Sequence, residues 1–344
     1  DQGDIDRELA ARRLERVQRG EESRLRPLLV DRAAADDGIA LAGLVERGDV
    51  VLGIGDDAAL LQPPPGRQLV VTTDTLNNGV HFPVGTAPAD VGWKALAVNL
   101  SDLAAMGAEP AWCTLSLSLP EADSVWIDAF IDGFLELARR HDIALIGGDT
   151  TQGPLSISVT AMGFIEPGRA LRRDAAQVGD EIWVTGALGD AAAALTQRDS
   201  HGDPALRSRL DRPTPRIEVG RVLIGIAHAA VDVSDGLLAD LGHICANSGV
   251  GAEVELAMLP ASPALRQAFN ATQRWSLQAT GGDDYELCFT VPPPRRDDLL
   301  RVCESVGTVV TRIGRIVSGS EVVALDADGR AWHPSRHGYD HFSK

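Results

Sequence analysis

Acidic residues occur at six places where an apolar run gives way to a turn. Carboxylates that converge repel one another, and a group of hard cations is the simplest reason for so many to converge. The pattern therefore predicts an enzyme that uses magnesium and a nucleotide. The six clusters are Asp56-Asp57 in GIGDDAAL, Asp74 in VVTTDT, Asp102 in VNLSDL, Asp149 in LIGGDT, Asp232 and Asp235 in VDVSDG, and Asp283-Asp284 in TGGDDYE.

Each acidic cluster alone has an ordinary explanation, because an Asp after a strand is often a turn former or a helix cap. The neighbours of these residues make the set more specific. Thr72 and Thr73 precede Asp74 and can offer hydroxyl and backbone oxygens to the same ion. Asn99 lies three residues before Asp102, so a helix would present both side chains on one face.

Glycines near the acidic clusters bear on how phosphate is bound. Gly147 and Gly148 would let the backbone approach phosphate before Asp149, although paired glycines also make ordinary turns. Residues 53–58, GIGDDA, match the dinucleotide pattern GxGxxA. We reject a dinucleotide-binding fold because two adjacent carboxylates would repel a bare pyrophosphate. The prolines of QPPPG also follow too soon for a full helix to form behind the loop. The chain also has no GxxxxGK[ST], HRD or DFG motif. With these nucleotide-binding motifs excluded, the sequence indicates a site rich in metal ligands in which no lysine binds the phosphates.

Composition limits the partners. The 344 residues are 44% hydrophobic, which is enough for two cores, and the formal net charge is -17. Nucleic acid would be repelled by such a surface. The longest apolar runs are too short to span a bilayer. The four cysteines show no CxxC spacing, which is typical of reduced structural thiols. We therefore expect a cytoplasmic protein without a nucleic-acid or membrane partner.

Helical and strand-like segments are mixed along the chain. Apolar residues alternate with Ser and Thr over 113–119 and 155–164, which predicts half-buried strands. Pro88 opens a helix that Gly107 can close, and residues 123–140 form an amphipathic helix pattern. A second series predicts strands at EIWVTG, AVDVSDG, YELCFTV, IGRIV and EVVAL, and helices from near Asp190, at PRIEVGRVLIGIAHA, at LLADLGHICANSG and at DDLLRVCESVG.

These elements predict an α/β fold of the α+β type, with mixed sheets. The polar, turn-rich segment 166–181 is the best candidate for a boundary between domains. We expect residues 1–24 to be a peripheral helix, native to the protein or foreign to it. Residues 25–165 and 166–344 would then form the N-terminal and C-terminal domains.

The spaced motifs resemble the thiamine-monophosphate kinase family, within the superfamily of aminoimidazole ribonucleotide synthetase. The resemblance runs from about Leu52 to Phe342 and implies that family's two-domain fold. It also implies ATP-dependent conversion of thiamine monophosphate to thiamine diphosphate with several Mg²⁺ ions, and a homodimer whose N-terminal domains pair. The motifs are GIGDDAAL, TTDTL with NNGVHF, KALAVNLSDLAAMGAEP, LIGGDTT, VDVSDGLLADLGHI, GGDDYELCF and GYDHF.

Matching positions within these motifs imply roles for individual residues, with Asp74, Asp102 and Asp149 the most critical. The N-terminal domain would supply most of the metal ligands, and the C-terminal domain would close over the substrate. The implied metal ligands are Asp57, Thr72, Thr73, Asp74, Asp102, Asp149, Asp232 and Asp235. The implied ATP contacts are Gly148, Asp149, Arg173 and Ser234, and the implied substrate contacts are His81 and Asp283.

At four positions the substrate site departs from the family pattern or allows a second explanation. Asp283 stands where the family usually has Glu, and Arg336 stands where an aromatic residue usually flanks the substrate ring. Trp332 could replace that aromatic residue or could simply pack on the second domain. Gln152 stands where Arg is common, and His81 could equally be a loop histidine with a structural role.

The chemistry can be argued from the substrate. A phosphate monoester, whose second pKa is about 6, is mostly dianionic at neutral pH, so its oxygen needs no general base. The difficulty is to bring two anions together, which magnesium ions can offset while they hold the reacting oxygens in line. We therefore assign no nucleophile or base and predict direct transfer.

Three alternative enzymes within the superfamily can be partly separated by sequence, and a fourth alternative is not an enzyme. Selenophosphate synthetase should carry a reactive Cys near its N-terminal loop, and none occurs before Cys113. The hydrogenase maturation protein should end in Cys, whereas this chain ends HFSK. Aminoimidazole ribonucleotide synthetase is excluded by no single residue. A catalytically silent protein that binds magnesium and nucleotide is the remaining alternative, which turnover would distinguish.

Overall fold

The computed structural model describes residues 44–197, 202–334 and 338. The N-terminal helix expected within residues 1–24 lies outside the described residues. None of the described helices is long and apolar enough to cross a bilayer.

The first half of the described chain is built on a four-stranded sheet. Its strand order is β3-β6-β4-β5, in which β4 and β5 are parallel and the other pairs are antiparallel. Helix α1 packs against β3 and β6, and α2 packs against α1. The elements are β1 (Val50–Leu52), β2 (Leu60–Leu61), β3 (Gln68–Asn77), α1 (Pro88–Ala105), β4 (Glu109–Leu119), α2 (Ser124–Arg140), β5 (Ala144–Gln152) and β6 (Ser156–Ile165).

The second half contains a seven-stranded mixed sheet of order β13-β12-β9-β11-β7-β10-β8, in which β12 and β9 are the parallel pair. Its strands are β7 (Glu181–Thr185), β8 (Ala229–Asp232), β9 (Gly251–Glu255), β10 (Leu287–Val291), β11 (Val310–Val317), β12 (Val322–Leu325) and β13 (Ala331–Trp332). Its helices are α3 (Asp190–Thr196), α4 (Pro204–Asp211), α5 (Ile217–Leu223), α6 (Leu237–Ser248), α7 (Pro263–Ala268), α8 (Ala271–Thr280) and α9 (Arg296–Ser305).

Helix α1 lies at the centre of the molecule. It packs against the first sheet on one side and against α5 and β8 of the second half on another. Glycines allow α2 to approach it closely: a Cβ on Gly92 would lie 1.9 Å from the carbonyl oxygen of Phe130, and a Cβ on Gly133 would lie 1.8 Å from that of Ala89. Because backbone atoms cannot move aside cheaply, these glycines fix the distance between the two helices.

Most differences between the predicted elements and the structure lie in the second half. The helix predicted over 215–229 ends at Leu223, because Gly225 adopts a φ of +78° that helical residues do not adopt. That part of the prediction was wrong. In the second half the sequence analysis also missed five elements, namely β9, β13, α4, α7 and α8, and in the first half it missed β2. Mixed sheets of the α+β type are confirmed.

Candidate active site

Two cavities lie along the free edge of β3, in the groove between the two halves. The acidic cavity has a volume of about 580 Å³ and is lined by five carboxylates, those of Asp74, Asp102, Asp232, Asp235 and Asp283. The second cavity has a volume of about 410 Å³, and its lining includes Thr72, Asp102, Arg172, Arg173 and Asp174. It is called the basic cavity because, of the two, it is the one with arginines on its wall. Asp102 therefore lies on the wall that the two cavities share.

Asp102 is held by contacts between α1 and β3. Side chains alternate along β3, so that Thr72 and Asp74 face α1. The Thr72 hydroxyl donates a hydrogen bond to Asp102 Oδ2. One turn earlier on α1, Asn99 Oδ1 accepts a 3.1 Å hydrogen bond from the backbone N–H of Asp74. The prediction that Asn99 and Asp102 share one helix face is confirmed, since both contact the same strand.

Asp232 brings a carboxylate from the second half to the same place. It ends β8, is 3% exposed, and its Oδ2 accepts a 2.8 Å hydrogen bond from the Ser101 hydroxyl on α1. This bond joins the two halves of the molecule beside Asp102. The sequence motif VDVSDG gives the position of the acidic pair, but only the fold shows that Ser101 is its partner.

The loop after β8 is organised by Asp240, which sequence reasoning missed. Asp240 Oδ2 accepts hydrogen bonds from the backbone N–H groups of Ser234, Asp235 and Gly236, at 3.0, 3.0 and 3.1 Å. These bonds fix the loop that carries two residues of the acidic cavity. The spacing of Asp240 after the SDG turn was the available signal, since a carboxylate in the first turn of a helix favours free N–H groups.

The buried carboxylates near Asp102 resist ionisation. Burial raises the pKa of Asp232 to about 8, and the nearby charge of Asp102 adds to the effect. Burial also raises the pKa of Asp74 to about 6, with contributions from Asp102 and Asp235. The pKa of Asp102 is raised by burial as well, although the Thr72 hydrogen bond and Arg173 oppose that shift. Such a group of carboxylates is stabilised when a cation is bound among them.

The donor set fits magnesium, because carboxylate, hydroxyl and backbone oxygens are its preferred protein ligands. Within the described residues, no three His, Cys, Asp or Glu side chains are close enough to hold an ion by themselves. Water and phosphate oxygens would therefore have to complete the coordination, which is usual for Mg²⁺ bound with a nucleotide.

The GGDD segment forms another wall of the acidic cavity. A Cβ on Gly282 would lie 2.5 Å from the carbonyl oxygen of Ser234, so only glycine lets the two loops approach this closely. The backbone N–H of Asp283 donates to that same oxygen at 2.9 Å. His81 lines the cavity as well, and its Nδ1 accepts a 2.9 Å hydrogen bond from the backbone N–H of Asn77. The two implied substrate contacts thus border one cavity.

Other predicted residues are placed in different surroundings. Arg173 lines the basic cavity, whereas Ser234 lines the acidic cavity. Thr73 borders the acidic cavity from the outer face of the first sheet, where its hydroxyl lies 2.9 Å from that of Thr160. Asp57 is exposed between β1 and β2.

Asp149 lines neither cavity. It pairs with Ser116 of β4, on the exposed face of the sheet that faces away from α1. Gly148 lies on the opposite face, and a Cβ there would be 1.8 Å from the carbonyl oxygen of Leu115. Trp332 packs against the core of the second half, and Arg336 lies outside the described residues.

Comparison with protein families identifies both halves of the chain. Residues 55–165 match the model described as AIR synthase related protein, N-terminal domain, and residues 177–326 match the corresponding C-terminal domain. The thiamine-monophosphate kinase of Haemophilus influenzae is 48% identical over 273 residues, which cover 78% of this chain and 83% of that protein. The chain belongs to the thiamine-monophosphate kinase family.

Solved structures agree with the assignment to the thiamine-monophosphate kinase family. The thiamine-monophosphate kinase of Stenotrophomonas maltophilia K279a is 57% identical, with a TM-score of 0.81, and the match covers 89% of this chain and 97% of that one. The structure described as AaThiL complexed with AMPPCP and TMP is 34% identical, with a TM-score of 0.71 and coverage of 83% and 91%. The resemblance read from the motifs, and the two-domain fold that it implies, are confirmed.

Proposed function

We infer that the protein is a kinase that transfers the terminal phosphoryl group of ATP to thiamine monophosphate and so forms thiamine diphosphate. The observation that carries this inference is the position of Asp102, on the wall shared by a basic and an acidic cavity. A related structure contains AMPPCP and TMP together, which supports two ligands bound side by side. Family membership does not favour the superfamily alternatives or a silent nucleotide-binding protein.

In this arrangement the basic cavity receives the nucleotide phosphates. Arg173 supplies a guanidinium beside Asp102, and a guanidinium suits phosphate because its N–H groups can form paired hydrogen bonds. Arg172 lines the same cavity, but its guanidinium is already bound to Asp174 at 2.8 Å. We therefore assign the phosphate contact in this cavity to Arg173. The motifs also imply ATP contacts at Ser234, which lines the acidic cavity, and at Gly148 and Asp149, which line neither cavity.

The carboxylates around Asp102 would hold the magnesium ions. We assign ligand roles to residues of both halves, and bound Mg²⁺ supplies charge neutralisation between the two phosphates. Thr72 fixes Asp102 through its hydroxyl, and Ser101 fixes Asp232, so the ligands are oriented before any ion binds. The proposed ligands that line the two cavities are Thr72, Thr73, Asp74, Asp102, Asp232 and Asp235. The motifs also imply Asp57 and Asp149, which line neither cavity.

The acceptor phosphate lies in the acidic cavity in this proposal, and its organic part contacts His81 and Asp283. The dianionic phosphate oxygen attacks the terminal phosphorus of ATP directly, and ADP leaves. The protein therefore positions the two substrates and neutralises their phosphate charges, and no side chain removes a proton. No side chain becomes phosphorylated. The wild-type assay with ATP, Mg²⁺ and thiamine monophosphate should give equal yields of ADP and thiamine diphosphate. ADP without thiamine diphosphate would contradict the proposal.

We also propose that the protein is a homodimer in which Asp149 serves the partner's site. Strands β3 and β5 are the two edges of the first sheet, so their axes are about 14 Å apart. Asp149 therefore cannot share an ion with Asp74 of its own chain. The exposed face that carries Asp149 also exposes Leu69 and Val71, at 49% and 55%, which supports pairing through this face.

Complementation between inactive variants tests the homodimer. Asp149→Asn and Asp102→Asn should each be inactive alone, because each removes a metal ligand. Mixed dimers contain one site with both ligands intact, provided that Asp149 acts across the interface. Refolding the two variants together should therefore restore part of the activity. If the mixture stays inactive although mixed dimers form, Asp149 does not act across the interface.

Localisation in the cytoplasm is a further proposal. It is supported by four free cysteines, all buried, which need no oxidising compartment: Cys113, Cys245, Cys288 and Cys303. The net charge of -17 supports the proposal that nucleic acid is not a partner.

A further inference from the structure

A buried lysine lies behind the wall of the acidic cavity. Lys94 is on α1, its side chain is 2% exposed, and its Nζ is 3.1 Å from Asp283 Oδ1. Its ammonium has no aligned hydrogen-bond acceptor among the residues that the structure describes. An ammonium in such a position needs a neighbouring negative charge, because burial removes its water. The ion pair with Asp283 supplies that charge.

The Lys94–Asp283 ion pair joins the two halves of the molecule. Lys94 belongs to the first half, whereas Asp283 precedes β10 of the second half. The hydroxyl of Tyr285 donates a 3.0 Å hydrogen bond to the same oxygen, Asp283 Oδ1. Within the described part of the chain, Asp283 Oδ2 receives no hydrogen bond. One carboxylate oxygen is thus held from two sides, and the other is left for a ligand of the cavity.

The backbone around Asp283 is also constrained. Asp283 and Tyr285 have φ angles of +70° and +49°, in the left-handed region that costs a residue other than glycine free energy. Backbone hydrogen bonds hold this conformation, since Asp283 N–H donates to Ser234 O at 2.9 Å and Tyr285 N–H donates to Val233 O at 2.8 Å. A strained segment with this many restraints is typical of a contact that is positioned in advance.

We propose that Lys94 is a positioning residue for the acceptor substrate. The inference rests on the proposed function, because the acceptor is taken to be thiamine monophosphate. Lys94 holds Asp283 Oδ1, so that Oδ2 accepts a hydrogen bond from the amino group on the pyrimidine ring. It also offsets the charge of Asp283 next to the other carboxylates of the cavity. Lys94 lines neither cavity, so it acts on the substrate only through Asp283.

The test replaces Lys94 with methionine, which fills a similar volume without the charge. Loss of a hydrogen bond to a charged group costs about tenfold in affinity, so the KM for thiamine monophosphate should rise about tenfold in Lys94→Met. The KM for ATP and kcat should stay near the wild-type values. A purely structural role would instead change the KM values of both substrates or lower the fraction of active enzyme.

Arg212→Met is the matched control, because Arg212 also joins the two halves. Its guanidinium is 2.5 Å from Asp90 on α1 and 2.9 Å from Glu136 on α2, and it lines neither cavity. This variant should lower the unfolding temperature and leave the KM for thiamine monophosphate unchanged. An equal rise of that KM in Arg212→Met and Lys94→Met would overturn the proposal, because any break between the halves would then suffice.

A double-mutant cycle separates positioning from stability. Asp283→Asn should itself raise the KM for thiamine monophosphate, and adding Lys94→Met in that background should raise it little further. Additive effects would overturn the proposal. If Lys94→Met does not fold, Tyr285→Phe removes the other donor to Oδ1 and should raise the same KM selectively; an unchanged KM would count against the proposal. The turnover of the wild-type protein, measured in the same experiment, tests the proposed function separately. If the wild-type protein does not phosphorylate thiamine monophosphate, the proposed function is wrong and the role of Lys94 is wrong with it.

Discussion

The two cavities that meet at Asp102 differ in charge. The basic cavity has Arg172 and Arg173 on its wall, whereas the acidic cavity is lined by five carboxylates and by no lysine or arginine of the described residues. A phosphate could therefore meet an arginine only in the basic cavity, where Asp102 and Asp174 balance the two arginines. A phosphate in the acidic cavity would meet no arginine or lysine of the described residues and would depend on bound cations.

Removing the shared carboxylate should have the largest effect. Asp102→Asn should lower kcat about 1,000-fold, since loss of one preorganised electrostatic group at the reacting atoms costs about that much. The unfolding temperature of the metal-free variant should not fall, because burial already disfavours the charged form of Asp102. Steady-state kinetics with a thermal unfolding scan checks both results. Near-normal turnover would show that the meeting point of the cavities is not where transfer occurs.

The two arginines of the basic cavity should differ. Arg173→Met should raise the KM for ATP about tenfold, the cost of one charge-assisted phosphate contact. Arg172→Met is the matched control and should change that KM little, because Arg172 is paired with Asp174. Kinetics with varied ATP at fixed thiamine monophosphate distinguishes the two variants. A selective rise in the KM for thiamine monophosphate would mean that the ligands of the two cavities are exchanged.

The unfolding temperature should depend on pH because of the buried carboxylates of the acidic cavity. The pKa of Asp232 is raised from 3.8 to about 8 in the folded state, so its contribution to stability is complete below pH 3.8 and is lost as the pH rises towards 8. The pKa of Asp74, raised to about 6, acts in the same direction. The unfolding temperature of the metal-free protein should therefore fall between pH 6 and 8, and Mg²⁺ should restore it.

Asp232→Asn should flatten this decrease between pH 6 and 8. Glu304→Gln replaces an exposed carboxylate on α9 and should leave the decrease unchanged. If the wild-type unfolding temperature does not depend on pH in this range, the carboxylates are compensated by some group other than a metal ion.

The smallest effect is expected at Trp332. This residue lies on β13 and packs against the core of the second half, away from both cavities. Trp332→Ala should therefore lower the unfolding temperature by a few degrees, as loss of aromatic packing does, without changing the affinity for thiamine monophosphate. Calorimetric titration of the variant checks this. Weaker binding of thiamine monophosphate with an unchanged unfolding temperature would show that Trp332 contacts the substrate.

The sequence predicted the elements whose periodicity is strong. Strands β4 and β6 follow from alternation, and helix α2 follows from an amphipathic pattern. Helix α1 follows from Pro88 and Gly107 at its ends, and the shared face of Asn99 and Asp102 follows from helical spacing. Helix α8 was missed although Asn270 and Gln273 form a capping box, a signal that is present in NATQ.

The parts of the site that could not be predicted depend on tertiary contacts. The position of Asp149 is set by strand order, which periodicity does not contain. Lys94 looks like any helix residue in KALAVN, and its burial results from the packing of the second half onto α1. The motifs gave the residue types of the site, whereas the fold decides which of them share a cavity.

A structure of the protein with a non-hydrolysable ATP analogue, thiamine monophosphate and magnesium would show directly where the two phosphates bind. We expect the terminal nucleotide phosphate to lie beside Arg173 in the basic cavity. We expect the acceptor phosphate to lie in the acidic cavity, with both phosphates facing Asp102. Both ligands within one cavity, or phosphates remote from Asp102, would contradict this expectation.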